Sequence, residues 1–424
     1  MTAIDLSPLR EQFPALKIEK NGKKRIYLDG AGGTQLPQSV IDAMVQYMVN
    51  DNGNYGGYFD TSIATDDMLV NARRSLADFF NAPSYKEVIL GPNMTTLTFS
   101  LVWSISKEIR PGDEVVISRM GHGGNIDAWS YLSEQGAKVR FLEMNKEDCT
   151  LDYEMAEEVI NSKTKIVALG LASNATGTIN DIKRIARLAH EVGALIFVDA
   201  VHFAPHLPMD VIDLEADFLA CSAYKFFGPH VGFIWGKMEH LERIDPRRPW
   251  PEFSGIPSKY NLGTPNMEGL AGTIAAIDYL ASIGREYGSM FEAKYKEIGF
   301  SGKKLELKKA MSVIGEYELA LGKKLNQGLK EKKGLKVYGI TDEDHFDKRC
   351  PTFSFTLKSC TSADICKKMN SKGIFVWNGE EGFGALELVK HFDLVRSGGL
   401  LRVSIEHYNT DSEIAQFLKV LNEL

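Results

Sequence analysis

Asp199 and Lys225 are the two residues whose types and spacing could do chemistry together. Ala194-Leu195-Ile196-Phe197-Val198 is an apolar run that predicts a buried strand. It delivers Asp199 at its carboxyl end, the edge where open α/β sheets place ligands. A second run, Phe218 to Ser222, ends on Ala223-Tyr224-Lys225, so a lysine stands at the end of another core strand, 225 − 199 = 26 residues after the aspartate. An aldehyde cofactor such as pyridoxal 5'-phosphate needs a lysine amine to condense with and an acidic partner to hold a proton on its pyridine nitrogen. Asp199 and Lys225 supply both. Taken singly, a strand-end lysine is a solvated surface group and an aspartate after a strand is a helix cap. Lys225, however, is hemmed by Phe226, Phe227 and Gly228-Pro229, and an amine kept partly from water has its charged form disfavoured and its nucleophilicity raised.

Three further turns would bring polar groups to the same edge. Gly91-Pro92-Asn93-Met94-Thr95-Thr96 follows a strand and opens a helix. Its backbone N–H groups, with the Thr95 and Thr96 hydroxyls, could hold a phosphate at the helix N-terminus, although Thr-Thr also serves as a plain helix cap. His122 sits among glycines in Met120-Gly121-His122-Gly123-Gly124, which let a flat ring approach closely; there an imidazole could stack on a pyridine and shuttle protons. Asn174, in Ser173-Asn174-Ala175-Thr176-Gly177, could bond the cofactor's phenolic oxygen or be a turn asparagine before glycine.

These residues need a scaffold, and the chain predicts one. Its 424 residues, 44% hydrophobic and 25% charged, are enough for two or three domains with a large core. From about residue 87, short apolar runs alternate with helix-like segments: Glu87 to Leu90, Glu114 to Ser118, Lys138 to Met144 and Lys165 to Leu169, with helices between. This is the βα pattern of a mostly parallel sheet covered on both faces. After about Gly284, long Lys/Glu-rich helices lead to separated strands near Thr352–Thr356 and Leu401–Ile405, a smaller α+β domain that the first residues complete. The expected division is residues 1–34 joining the small domain, 35–284 the large domain and 285–424 the small domain. A formal charge of −7 with no long basic block argues against nucleic acid or an anionic membrane as partner. The opening residues lack a signal-peptide pattern and no apolar run reaches spanning length, so a cytoplasmic protein is expected. Five cysteines, Cys149, Cys221, Cys350, Cys360 and Cys366, form no C-x-x-C pair and no metal spacing, so reduced thiols and no metal are expected.

Over nearly its whole length the sequence resembles the class V aminotransferase-fold enzymes, the fold-type I group that includes cysteine desulfurases, selenocysteine lyases, kynureninases and isopenicillin N epimerases. The resemblance is carried by Tyr27-Leu28-Asp29-Gly30-Ala31, Gly121-His122 with Asn125 and Trp129, Ser173-Asn174 with Gly177-Thr178, Val198-Asp199 through Pro205-His206, Ser222-Ala223-Tyr224-Lys225, Gly263-Thr264-Pro265-Asn266, and Arg402-Val403-Ser404 with Tyr408-Asn409-Thr410. It implies that Lys225 is the Schiff-base lysine, Asp199 the pyridine-nitrogen partner, His122 the stacking residue and Asn174 a phenolic-oxygen contact. Thr95, Ser222 and, from the second subunit of a homodimer, Thr264 would touch the phosphate, and Arg402 would bind the α-carboxylate of a small amino-acid substrate.

The chain departs from the desulfurases at telling places. They usually carry glutamine and histidine where this sequence has His202 and Tyr224, and both changes lean toward the kynureninase and epimerase side, where a phenol before the lysine can bond the phosphate. The segment Gly373 to Gly382 aligns without a gap on the desulfurase loop that carries an arginine and then the persulfide-forming cysteine; Trp377 and Gly382 stand at those two positions. Trp377 with Glu380-Glu381 implies a different side-chain pocket. Tyr55 and Tyr58, where desulfurases have histidine and arginine, would contact the substrate or the partner subunit. The reading is a pyridoxal-phosphate enzyme acting on a small amino acid, desulfurase-like, breaking C–S or a related β bond through a Cα carbanion. Aminotransferase, epimerase and, from a different class, non-catalytic scaffold remain the alternatives.

Overall fold

The computed structural model describes residues 4–20, 22–249, 255–379, 382–395 and 398–424. Glu380 and Glu381 lie outside the described residues. The apolar runs become a seven-stranded sheet in the order Val88–Gly91, Gly232–Gly236, Phe218–Ser222, Leu195–Asp199, Thr164–Gly170, Glu114–Ser118, Lys138–Leu142. Gly232–Gly236 runs antiparallel to both neighbours; the remaining pairings are parallel. Because parallel strands end on one edge, Gly91, Ser118, Gly170, Asp199 and Ser222 all finish on the same side. The central strands are buried along nearly their whole length, as continuous Val/Ile/Leu/Phe runs require when helices cover both faces.

The smaller sheet is antiparallel, in the order Leu335–Tyr338, Thr352–Leu357, Leu400–Ser404, Trp377–Gly379. Arg402 lies mid-strand between Ser354 and Trp377. The N-terminal segment is tied to this part of the chain. Ile26–Tyr27 pairs with Ile374–Phe375, Leu28 O accepts from Ser404 N at 2.9 Å, and Tyr27 O accepts from Asn409 Nδ2 at 2.9 Å. The Met267–Tyr287 helix packs on the 30-residue helix Gly302–Glu331. Gly284 marks the closest approach, since a Cβ there would lie 1.9 Å from the Glu306 carbonyl oxygen. The change of character near Gly284 is therefore the crossing point of two helices, and the first of them continues to Tyr287.

Candidate active site

At the carboxyl edge of the large sheet lies a cavity of about 580 Å³. The strand ends and the turns just after them supply much of its lining. Asp199 ends its strand, is buried, and accepts a hydrogen bond from Val201 N at 3.0 Å; burial pushes its carboxyl up to about 6. Lys225 follows the next strand through the short helical turn Ala223–Lys225. Its Nζ donates to Ala31 O at 2.5 Å and lies 4.7 Å from the centre of the Tyr224 ring. Burial, reinforced by Arg402 and opposed by Glu406 and Asp199, brings the amine down to about 7. The Tyr224 ring itself stacks on His230 at 4.8 Å.

His122 caps the Gly123–Ser130 helix: its Nδ1 accepts from Gly124 N at 3.0 Å, which leaves the ring proton on Nε2. Burial, with Lys225 and Arg402 adding to it, lowers this imidazole to about 4, so it is neutral near pH 7. The Thr-Thr alternative is resolved by Asn93, whose Oδ1 accepts from Thr96 N at 2.8 Å and caps Met94–Ile105. Thr95 is thereby free to face the cavity, while Thr96 is exposed and does not line it. Ser222 Oγ accepts from Met94 N at 3.0 Å, which joins the phosphate turn to the lysine strand and leaves the hydroxyl proton free to donate outward. Gly232 allows that join, because a Cβ there would lie 2.1 Å from the Asn93 carbonyl carbon.

Across the cavity stands Arg402. Its Nη1 donates to Asn174 O at 2.9 Å, and its guanidinium carbon lies 4.3 Å from the Phe383 ring centre and 5.9 Å from that of Trp377. Burial lowers the guanidinium to about 10, so it stays charged. Asn174 Nδ2 donates to Phe383 O at 3.0 Å, which occupies one of its two amide hydrogens and leaves the other for a ligand oxygen. Gly384 lies against His122, where a Cβ would meet Nε2 at 2.4 Å. His202 is buried beside Asp199, with Nε2 lacking a hydrogen-bond partner and the imidazole held neutral by burial.

Tyr58 and Thr264 do not join this set. Tyr58 is fully exposed, Thr264 is exposed, and neither lines the cavity. Sequence reasoning also missed residues that do. Phe383 stands just past the Gly373 to Gly382 segment, with its backbone at φ 60°, a left-handed conformation uncommon outside glycine. Gly32, where a Cβ would clash with Trp377 at 2.5 Å, is visible in sequence only as one of the glycines after Asp29.

A model of the class V aminotransferase family matches residues 26–299 and 289–417. The chain belongs to the class V aminotransferase family. A probable cysteine desulfurase of Halalkalibacterium halodurans is 32% identical over 98% of this chain and 97% of its own. A probable cysteine desulfurase of Synechocystis sp. is 30% identical over 97% of this chain and 94% of its own. Among solved structures, the cysteine desulfurase CsdA of Escherichia coli matches with a TM-score of 0.81 at 26% identity, covering all of this chain and 98% of that one. This class V protein is thus a pyridoxal-phosphate-dependent enzyme of fold type I. Its cavity fits the cofactor: an amine brought down to about 7, a carboxyl at a strand end, the unpartnered His202 nitrogen, and the Thr95 and Ser222 hydroxyls at a helix N-terminus converge on one space.

Proposed function

We propose that this class V enzyme removes a β-sulfur substituent from cysteine or a close relative and releases it without storing it on a thiol. The carrying observation is that Lys225, Asp199, His122 and Arg402 line one cavity while no cysteine does so among the described residues. Cys221 and Cys350 are buried, with burial holding their thiols well above the usual range. Burial pushes Cys149 up to about 12 and Cys366 up to about 11. A sulfur acceptor must be a thiolate within reach of the substrate, and Gly382 carries no side chain for that role.

Arg402 receives the α-carboxylate in a bidentate contact, its plane fixed by Asn174 O and the Phe383 ring. When bound, pyridoxal phosphate supplies a protonated ring into which the electron pair left at Cα can spread. Asp199 would hold that ring proton, and Asn174, Thr95 and Ser222 would orient the ring and its phosphate. Lys225, freed as an amine, takes the proton from Cα. His122 Nε2–H offers a hydrogen bond to the sulfur, which departs as hydrosulfide as the C–S bond breaks, with no proton taken from the neutral imidazole. The balance is cysteine plus water to pyruvate, ammonia and sulfide. We further infer a cytoplasmic homodimer in which Thr264 of the second copy completes the phosphate contacts; the exposed apolar side chains of Val49, Tyr58, Phe59 and Ile63 support such a face.

Incubation with each amino acid, assaying sulfide, pyruvate and new keto acids, tests the reading. Sulfide and pyruvate in equal amounts are expected from cysteine, and replacement of all five cysteines by alanine or serine should leave that rate within about five-fold. A covalent persulfide trapped on one cysteine, with activity lost in its single mutant, would overturn direct release; a keto acid that keeps the substrate's side chain would indicate transamination instead.

A further inference from the structure

Glu406 is fully buried four residues beyond Arg402, and neither of its carboxyl oxygens has a hydrogen-bond partner. Nothing in the sequence marks it, and no step of the proposed reaction uses it. The carboxyl presses on the turn that also holds Lys225. A Cβ on Gly30 would lie 2.0 Å from Glu406 Oε1, and the next residue, Ala31, accepts the Lys225 amine through its carbonyl at 2.5 Å. The two groups therefore flank a single dipeptide. Behind Glu406, Glu318 and His206 each bring a side-chain nitrogen or oxygen to within 4.8 Å of it and of each other, and His206 Nδ1 already pairs with Glu318 Oε2 at 2.8 Å. Glu318 takes Nδ1 and burial lowers the imidazole to about 3, so His206 is uncharged and Lys225 is the cation that acts on Glu406.

We propose that Glu406 is a positioning residue for Lys225: the internal counter-charge of the amine when it is an ammonium, and the acceptor of its proton when it must be free. The step moves one proton and nothing else, from ammonium and carboxylate to amine and carboxylic acid. It spares the cavity an exchange with bulk water each time Lys225 leaves or regains its bond to the cofactor, and so rests on Lys225 being the cofactor lysine. Electrostatics agree. Burial disfavours both charged forms; Glu406 acts on Lys225 more strongly than Asp199 does, and Lys225 in turn favours the charged form of Glu406. The other groups facing Lys225 are the cation Arg402, the neutral imidazoles His122 and His202, the acids Asp199 and Asp29, and the uncharged Tyr224 and Cys221. Those facing Glu406 are Glu318, Asp29, His206, Tyr408 and Cys350. Asp199 is committed to the ring nitrogen.

The test uses full-length protein stripped of cofactor. Acetic anhydride labelling across a pH series, read at the Lys225 peptide by mass spectrometry, titrates the amine without substrate or turnover. The parent should show a midpoint near 7. Glu406→Gln should lower that midpoint by about one unit or more, because loss of a neighbouring negative charge disfavours the ammonium. Glu406→Asp, with a shortened carboxyl, should show a smaller drop in the same direction and stands in if the glutamine variant does not fold. An unchanged or raised midpoint in the variant that folds overturns the proposal. Because no amino acid is present, that failure is distinct from failure of the sulfur-release reading, which the product assay judges alone.

Discussion

Lys225 owes its chemistry to burial more than to its neighbours in sequence. Removing the amine from water makes the neutral, nucleophilic form the main one above about pH 7, and Arg402 pushes in the same direction. Because the folded value is depressed, capture of cofactor by the stripped enzyme should quicken as pH rises through 7. Asp199 works in the opposite sense: burial raises it to about 6, the carboxylate stays the main form at pH 7, and a cation at the ring nitrogen would favour that form further. Asp199→Ala should therefore cut turnover by about two to three orders of magnitude, comparable to losing a preorganised charge contact elsewhere. The protein should lose only about 1 kcal/mol of stability, since the Val201 N–H is the side chain's hydrogen-bond partner. Steady-state rates and urea unfolding read the two effects separately. Near-normal turnover would mean Asp199 serves local structure alone.

At the scale of elements, the site is made by strands that all end on one edge and by turns that cap the helices following them. Gly232 shows how tightly this is built. It pairs with Gly91 on one side and Ser222 on the other, and its missing side chain lets the Asn93-Met94 turn rest on the sheet. Gly232→Ala should force that turn away, break the contact between Met94 N and Ser222 Oγ, and weaken retention of pyridoxal phosphate by about ten-fold or more, while costing about 1–3 kcal/mol as overpacking does. Equilibrium dialysis of the cofactor and thermal unfolding would show both. Unchanged cofactor affinity would mean that the phosphate is held elsewhere. Trp377 and Phe383 are placed by the same logic: pairing with Arg402 sets Trp377 beside the guanidinium, and the Phe383 backbone turns its carbonyl to Asn174.

At the scale of the whole molecule, the fold leaves two of the expected site residues outside the cavity. Thr264 and Tyr58 lie away from the cavity of their own chain, and Val49, Tyr58, Phe59 and Ile63 expose apolar surface over a short stretch of sequence. A homodimer burying that stretch is expected from light scattering. Val49→Asp together with Ile63→Asp should shift it toward monomer and lower cofactor affinity, because Thr264 would no longer reach a neighbouring site. A parent protein that is monomeric and fully active would refute the shared site.

The sequence by itself determined the large sheet, the Asp199 and Lys225 pair and the family, because these rest on local signals: continuous apolar runs, a charged residue at a run's end, and motifs of a few adjacent residues. Tertiary structure decided what depends on distant segments meeting. Lys225 is lowered by burial under distant segments and then by Arg402, 402 − 225 = 177 residues away, and it finds its hydrogen-bond acceptor at Ala31. Phe383 becomes a lid over Arg402 only because two separated strands pair. Asn93 rather than the Thr-Thr pair caps its helix, a choice made by the geometry of one turn. Glu406 reads in sequence as an ordinary acidic residue after a strand, and only the fold takes it out of water and sets it beside the lysine, since burial is a property of the packed chain and not of any window along it.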